Sequence, residues 1–298
     1  MKKHSICTGL LLSLLAVISN ITSAEDINTA TTFTYRAPES DQDHRPDYEI
    51  ALIRLALEKT INEYGPFNLV ASPRMNLARC LLSIRKNDLP NFFCSRGYNE
   101  TYNTYPDVTY IRFPIDLGLL SYRTCFTNKM VAEKLSNVNT LDELRQFTHG
   151  QGRDWADVQV LKENGFKVIE VSQYEQLFKM IAAGRFDLFC RGTNEIKEEY
   201  DLRHSIKGLV YDQHILLYYP LPVFMYVNKN NTKAVERMTK GLQIAYADGS
   251  LQKLWKQFHQ ASVDFAHIQN RKIFYLDNPL IKSIDFDYAS YDFKYFPK

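Results

Sequence analysis

Arg191 closes the apolar run "RFDLFC" (185–190), and Glu195 stands four residues further on. A guanidinium at the carboxyl end of a buried strand has two ordinary roles. It clamps a carboxylate or phosphate through two parallel charge-assisted bonds, or it pairs with a nearby acid. Arg74, Ser95 and Arg96 follow two earlier apolar runs, "FNLVAS" (67–72) and "NFFCS" (91–95), in comparable positions. Tyr35 ends a β-rich stretch, and Glu39 lies in the polar loop after it. Gly150-Gln-Gly152 precedes a helical pattern that begins near Trp155, so free backbone N–H groups there would face an anion; an ordinary glycine turn is the alternative. Arg74, Arg96, Arg191 and that helix start together predict an excess of donors and an anionic ligand.

Other chemistries have less support. No Gly-x-Ser-x-Gly, His-Glu-x-x-His or phosphate loop is present, and the lone Gly-x-Gly lacks the third glycine of a dinucleotide fingerprint. The seven histidines form no pair at metal spacing, and His204 and His214 read as surface residues. No cofactor and no metal are expected.

The groups above need a scaffold. "TFTYRA" (32–37), "FNLVAS" and "NFFCS" alternate with helical patterns over residues 46–64 and 76–86, the grammar of a parallel sheet covered by helices. Residues 108–128 and 215–229 are long β-rich runs broken by Pro and Gly, which reads as two crossings between lobes. Between them, Thr140-Leu-Asp-Glu143 and Ser172-Gln-Tyr-Glu175 spell capping boxes. Val168–Val171, the helix from Ser172 and the strand Phe186–Cys190 make a tight βαβ unit that delivers Arg191 to a carboxyl strand end, where open α/β sheets bind ligands. Helices follow at 232–247 and 250–259; the last forty residues show no usable periodicity.

Lys2 and Lys3, the apolar run Leu10–Ile18 and Thr22-Ser23-Ala24 form a secretory leader with cleavage expected after Ala24. Without residues 1–24 the chain holds 34 basic and 34 acidic side chains, which argues against a nucleic-acid partner. Cys80, Cys94, Cys125 and Cys190 remain, either as buried thiols or as two bridges in one of three pairings.

This organisation resembles the type II periplasmic solute-binding proteins, and most closely their amino-acid-type family 3. "YEQLFKMIAAGRFDLFC" (174–190) and "GLQIAYADGSLQKLWKQF" (241–258) carry the resemblance. It implies a two-lobed α/β fold of two mixed sheets flanked by helices, with residues 25–115 plus 215–298 in one lobe and 116–214 in the other. It also implies a monomeric periplasmic protein that captures a small ligand, for an ABC-transporter permease or a membrane sensor. An orphan receptor domain or a dehydratase-like enzyme on the same scaffold is the alternative. The family's carboxylate-binding arginine motif is missing from "CSRGYNETYNTYPD" (94–107), and Gly192 stands where its ammonium-binding aspartate would be. Position after strands, in cleft loops and at the helix start therefore selects a candidate ligand set of Tyr35, Glu39, Arg74, Ser95, Arg96, Gly152, Trp155, Arg191 and Glu195.

Overall fold

Side chains that alternate between two apolar clusters along a strand mark a sheet buried on both faces. The computed structural model, which describes residues 29–41 and 43–295, shows this twice. The expected leader over residues 1–24 lies outside the described residues. In chain order the strands are β1 (Thr31–Tyr35), β2 (Phe67–Ala71), β3 (Phe92–Gly97), β4 (Val108–Tyr110), β5 (Tyr122–Asn128) and β6 (His149–Gly152). Then come β7 (Val168–Val171), β8 (Phe189–Gly192), β9 (Leu209–Tyr211), β10 (Ile215–Tyr218), β11 (Val223–Asn228) and β12 (Lys272–Tyr275).

The first sheet has the order β2-β1-β3-β11-β4, parallel through β1–β3 and antiparallel around β11. Phe93, Met225 and Val227 point into one cluster; Phe92, Cys94, Phe224 and Tyr226 point into the other. The second sheet runs β12-β10-β5-β8, with β9 also on β5, and a bridge from His149 to Leu188 attaches the parallel pair β6–β7. Here Cys125 and Cys190 face one core, and Phe126 and Phe189 the other. Two mixed sheets flanked by helices make a two-lobed α/β fold.

Two local expectations change, and one left open is decided. β10 pairs with β5 and β12, so the second lobe continues to residue 218 rather than ending at 214, and residues 272–275 return to it from the C-terminal part of the chain. The capping box at Thr140 forms, but the one at Ser172 does not: the helix Tyr174–Ala182 starts after Gln173, and Glu175 pairs with Arg203 at 2.7 Å. The cysteines form two bridges, Cys80–Cys94 and Cys125–Cys190. The first ties the helix Leu77–Lys86 to β3, the second joins β5 to β8.

Backbone passes between the lobes at residues 111–121 and 219–222, the two crossings anticipated. A further link was not legible. The helix Ser250–Ala266 buries Leu251 and Trp255 in the first-lobe core and Ala266 in a second-lobe core, where Phe265 stacks on Tyr211 at 4.9 Å. Its Ser262 hydroxyl donates to the Thr193 carbonyl of the second lobe. After β12 the tail buries Leu276 and Leu280 in the second lobe, then lays Ile284, Phe286 and Tyr288 on the first.

Candidate functional site

Between the lobes lies a cavity of about 190 Å³, roughly the liquid volume of six waters. The first lobe contributes Arg36, Arg45, Tyr48, Glu49, Ser95 and Arg96; the second contributes Arg123, Trp155, Asp157, Arg191, Asn194 and Glu195. Ile115, Asp116, Leu120, Leu221 and Val223 of the crossings complete the wall, with His259 of the bridging helix.

The arginines differ in what they have left to give. Arg191 is buried and committed: its Nε donates to both oxygens of Glu199 at 2.8 and 3.0 Å, and an Nη reaches Glu195 at 2.5 Å. Its guanidinium lies 4.6 Å from the Trp155 ring. Burial pushes the Glu199 carboxyl up, against the pull of Arg191. Arg45 is held by Asp43 and sits 4.5 Å over Tyr174 of the opposite lobe, a contact that links the two lobes. Arg96 bonds the Leu77 carbonyl at 3.2 Å and stacks on Tyr102 at 4.3 Å; no carboxylate lies within ion-pair distance of it among the described residues.

Arg36 and Arg123 stand apart from these. Arg36 is 6% exposed, and its Nε and one Nη have no hydrogen-bond partner, although Glu39 lies 3.5 Å away. Arg123, 1% exposed, has its Nη2 2.9 Å from Asp157 but off the bonding direction, and its Nε is also unpartnered. Burial works most strongly against its charge, and Asp157, Tyr219 and Glu195 together outweigh burial. Asn194 Oδ1 and His259 Nε2 are likewise buried without partners among the described residues, and Ser95 Oγ has only the nearby Glu49 carboxylate, off the bonding direction. Burial alone takes the His259 ring down to about 4, so it is neutral at pH 7.

Of the residues expected from the sequence, Ser95, Arg96, Trp155, Arg191 and Glu195 line the cavity. Four do not. Tyr35 packs against the first-lobe core, Arg74 makes an exposed pair with Asp41, and Glu39 joins Arg36 and Arg45 beside the cavity. Gly152 lies in a buried strand; a Cβ there would fall 2.2 Å from the Trp155 indole, so this glycine seats the ring instead of presenting backbone to an anion. The first helical turn beyond it carries Asp157, which takes a 2.5 Å bond from Tyr219. A Cβ at Gly192 would meet Asn194 Oδ1 at 2.3 Å and Leu120 at 2.6 Å, which leaves no room for an aspartate side chain there.

Sequence reasoning missed Arg36, Arg45, Glu49, Asp116, Arg123, Asp157 and Asn194. Arg123 carried a usable signal: it is a cation inside the apolar strand "YRTCF" (122–126).

The folds of solved structures agree with this arrangement. An arginine-specific periplasmic binding protein from Salmonella typhimurium superposes with a TM-score of 0.58 at 12% identity, covering 77% of this chain and 100% of that one. This chain has the type II periplasmic-binding-protein fold. An ancestral arginine-binding protein bound to arginine gives 0.54 at 15% identity over 76% and 97% of the two chains. A histidine kinase sensor domain with similarity to periplasmic binding proteins gives 0.53 at 13% identity over 78% and 97%. No protein-family profile matches the sequence, and no curated protein matches it.

In this periplasmic-binding-protein fold Asp116 ties the crossings together. Its carboxylate accepts from Leu120 N at 2.8 Å and from Val223 N at 3.3 Å, and its carbonyl accepts from Trp255 Nε1 at 3.0 Å. Burial raises its pKa from 3.8 to about 6 in spite of those bonds. An acid whose folded pKa is raised adds stability that is full below 3.8 and is lost as pH climbs through 6. Relative to Asp116→Asn, the natural chain should therefore lose about 2 kcal/mol between pH 4 and pH 7. Urea denaturation of both proteins across that range checks it; a gap that stays constant with pH would mean the carboxyl titrates normally.

Proposed function

We propose that the chain is a solute-binding protein that takes a small, anionic or amino-acid-like ligand into the cleft between its lobes, for uptake or sensing. The observation that carries this reading is the convergence of unpartnered buried donors from both lobes, Arg36 and Ser95 on one side and Arg123 on the other, on a single cavity. Leaving such groups dry costs free energy that a ligand repays. Lobe closure over the ligand by a hinge motion is the mechanism this fold supports. The chain acts in the periplasm after loss of its leader, as a monomer that meets a transporter permease or a membrane sensor; kinship in fold to a kinase sensor domain supports the second partner as well as the first.

The neighbours named above are binding proteins and a sensor domain, not enzymes, and ligand capture without turnover is the corresponding proposal here. A thermal-shift screen over amino acids, organic acids, sugars and peptide fragments tests it. A ligand that binds only the folded state raises the melting temperature, by an amount equivalent to about 2.7 kcal/mol at a hundred times its Kd. A panel in which nothing shifts the transition, or in which a compound is converted, counts against the proposal.

A further inference from the structure

The unpartnered donors fall into two groups, one from each lobe. On the first-lobe wall stand Arg36 Nε and Nη1 with Ser95 Oγ. On the second-lobe wall stand Arg123 Nε and Nη2. The lining also includes the apolar side chains of Trp155, Leu120, Leu221 and Val223, beside polar ones such as Asn194 and Asp116. A ligand with one carboxylate would meet the free N–H groups of one wall and leave those of the other without a hydrogen-bond partner, although Glu39 or Asp157 offsets the charge there. The cavity, about 190 Å³, has room for two carboxylates joined by a short hydrocarbon segment.

The carboxylates that could hold a ligand ammonium are already engaged. Asp157 is held by Tyr219 and Arg123, Asp116 by two backbone N–H groups, and Glu195 by Arg191 and the Gly192 N–H. Glu49 accepts from the Ser95 N–H at 2.9 Å and faces the charge of Arg36, which works against the rise that burial gives its carboxyl.

We propose that the ligand is a short dicarboxylate without an ammonium group, one carboxylate bound by Arg36 and Ser95 and the other by Arg123. This rests on the cleft being a ligand site and names the class of ligand for it. Each end makes charge-assisted bonds to a buried arginine, the arrangement in which a planar guanidinium outperforms an ammonium.

Calorimetry and thermal shift with succinate, glutarate, glutamate, glutamine and arginine test the class. Succinate or glutarate should bind, and glutarate should bind at least tenfold tighter than glutamate, which differs by the ammonium. Arg36→Met and, separately, the pair R123M/D157N should each weaken that binding by about thirtyfold or more. Pairing Asp157→Asn with Arg123→Met avoids stranding a buried carboxylate, so the variant keeps its fold, and its melting curve without ligand verifies this. Two results overturn the proposal while leaving the cleft a ligand site: arginine, glutamine or a neutral solute binding in place of the dicarboxylates, or glutamate binding more tightly than glutarate. Dicarboxylate binding unchanged in both arginine variants also overturns it. A protein that no member of the panel and no other small solute stabilises fails at the earlier step, since the cleft then holds no ligand.

Discussion

Arg191→Ala is expected to destabilise the protein by about 3–5 kcal/mol, the typical consequence of removing one partner from a buried ion pair. From sequence, a buried arginine at a strand end reads equally well as a ligand clamp. The structure places it between Glu199 and Glu195, and Glu199 is 3% exposed. Without the guanidinium, the Tyr174 hydroxyl at 2.6 Å is the donor left to Glu199. Its carboxyl, already pushed up by burial, would rise further. The folded state then holds its proton more tightly than the unfolded chain does, so the loss should be smaller at pH 5 than at pH 7. The double variant R191M/E199Q removes charge and partner together and should recover most of the stability. Denaturant unfolding of the three proteins at both pH values decides the matter. A loss for Arg191→Ala below about 1 kcal/mol would make the pair no stronger than an exposed one.

Loss of the Cys125–Cys190 bridge should be comparable in size. It closes a loop of 65 residues, for which the chain-entropy estimate is about 4 kcal/mol, against about 3 kcal/mol for the 14-residue loop of Cys80–Cys94. Replacing both Cys125 and Cys190 by alanine should lower stability by about that amount, measured as a drop in the denaturation midpoint under non-reducing conditions. The bridge also lies next to the site: Arg123 is two residues before Cys125, and Arg191 directly follows Cys190. The variant should therefore bind any cleft ligand more weakly than its stability loss alone explains. A doubly substituted protein as stable as the parent would mean that β5 and β8 are fully held by their hydrogen bonds and cores.

The lobes were legible because period and punctuation agreed: strands of β-branched and aromatic residues, helices with 3.6-residue apolar spacing, glycines at their ends. The site was legible only where a polar residue directly followed such a strand, as Ser95, Arg96 and Arg191 do. Arg36 and Arg45 sit in "RAPESDQDHR" (36–45), a segment with no period, whose conformation comes from the Asp43 carboxylate accepting from Glu39 N and Arg45 Nε. Arg74 and Glu39 had the right residue types, but Asp41 takes up the charge of the first, and Arg36 and Arg45 that of the second. Gly150 and Gly152 mimicked an anion loop because sequence does not reveal that the Phe186 and Trp155 rings press on them. The tail resisted because its residues divide their contacts between two cores, and neither core alone sets a period.

That division has a kinetic meaning. The helix Ser250–Ala266 is about 25 Å long and is anchored at each end in a different lobe, by Trp255 in one and by Ala266 and Ser262 in the other. Lobes joined only by two strands would part and close on the microsecond-to-millisecond scale of hinge motions. Here a wide separation first requires one end of the helix to leave its core, a sub-global opening event. Ligand residence time would then follow the frequency of that event more closely than the strength of any contact in the cleft. A weakly bound solute could be retained for long periods, and shortening the helix would speed its exchange without touching the site.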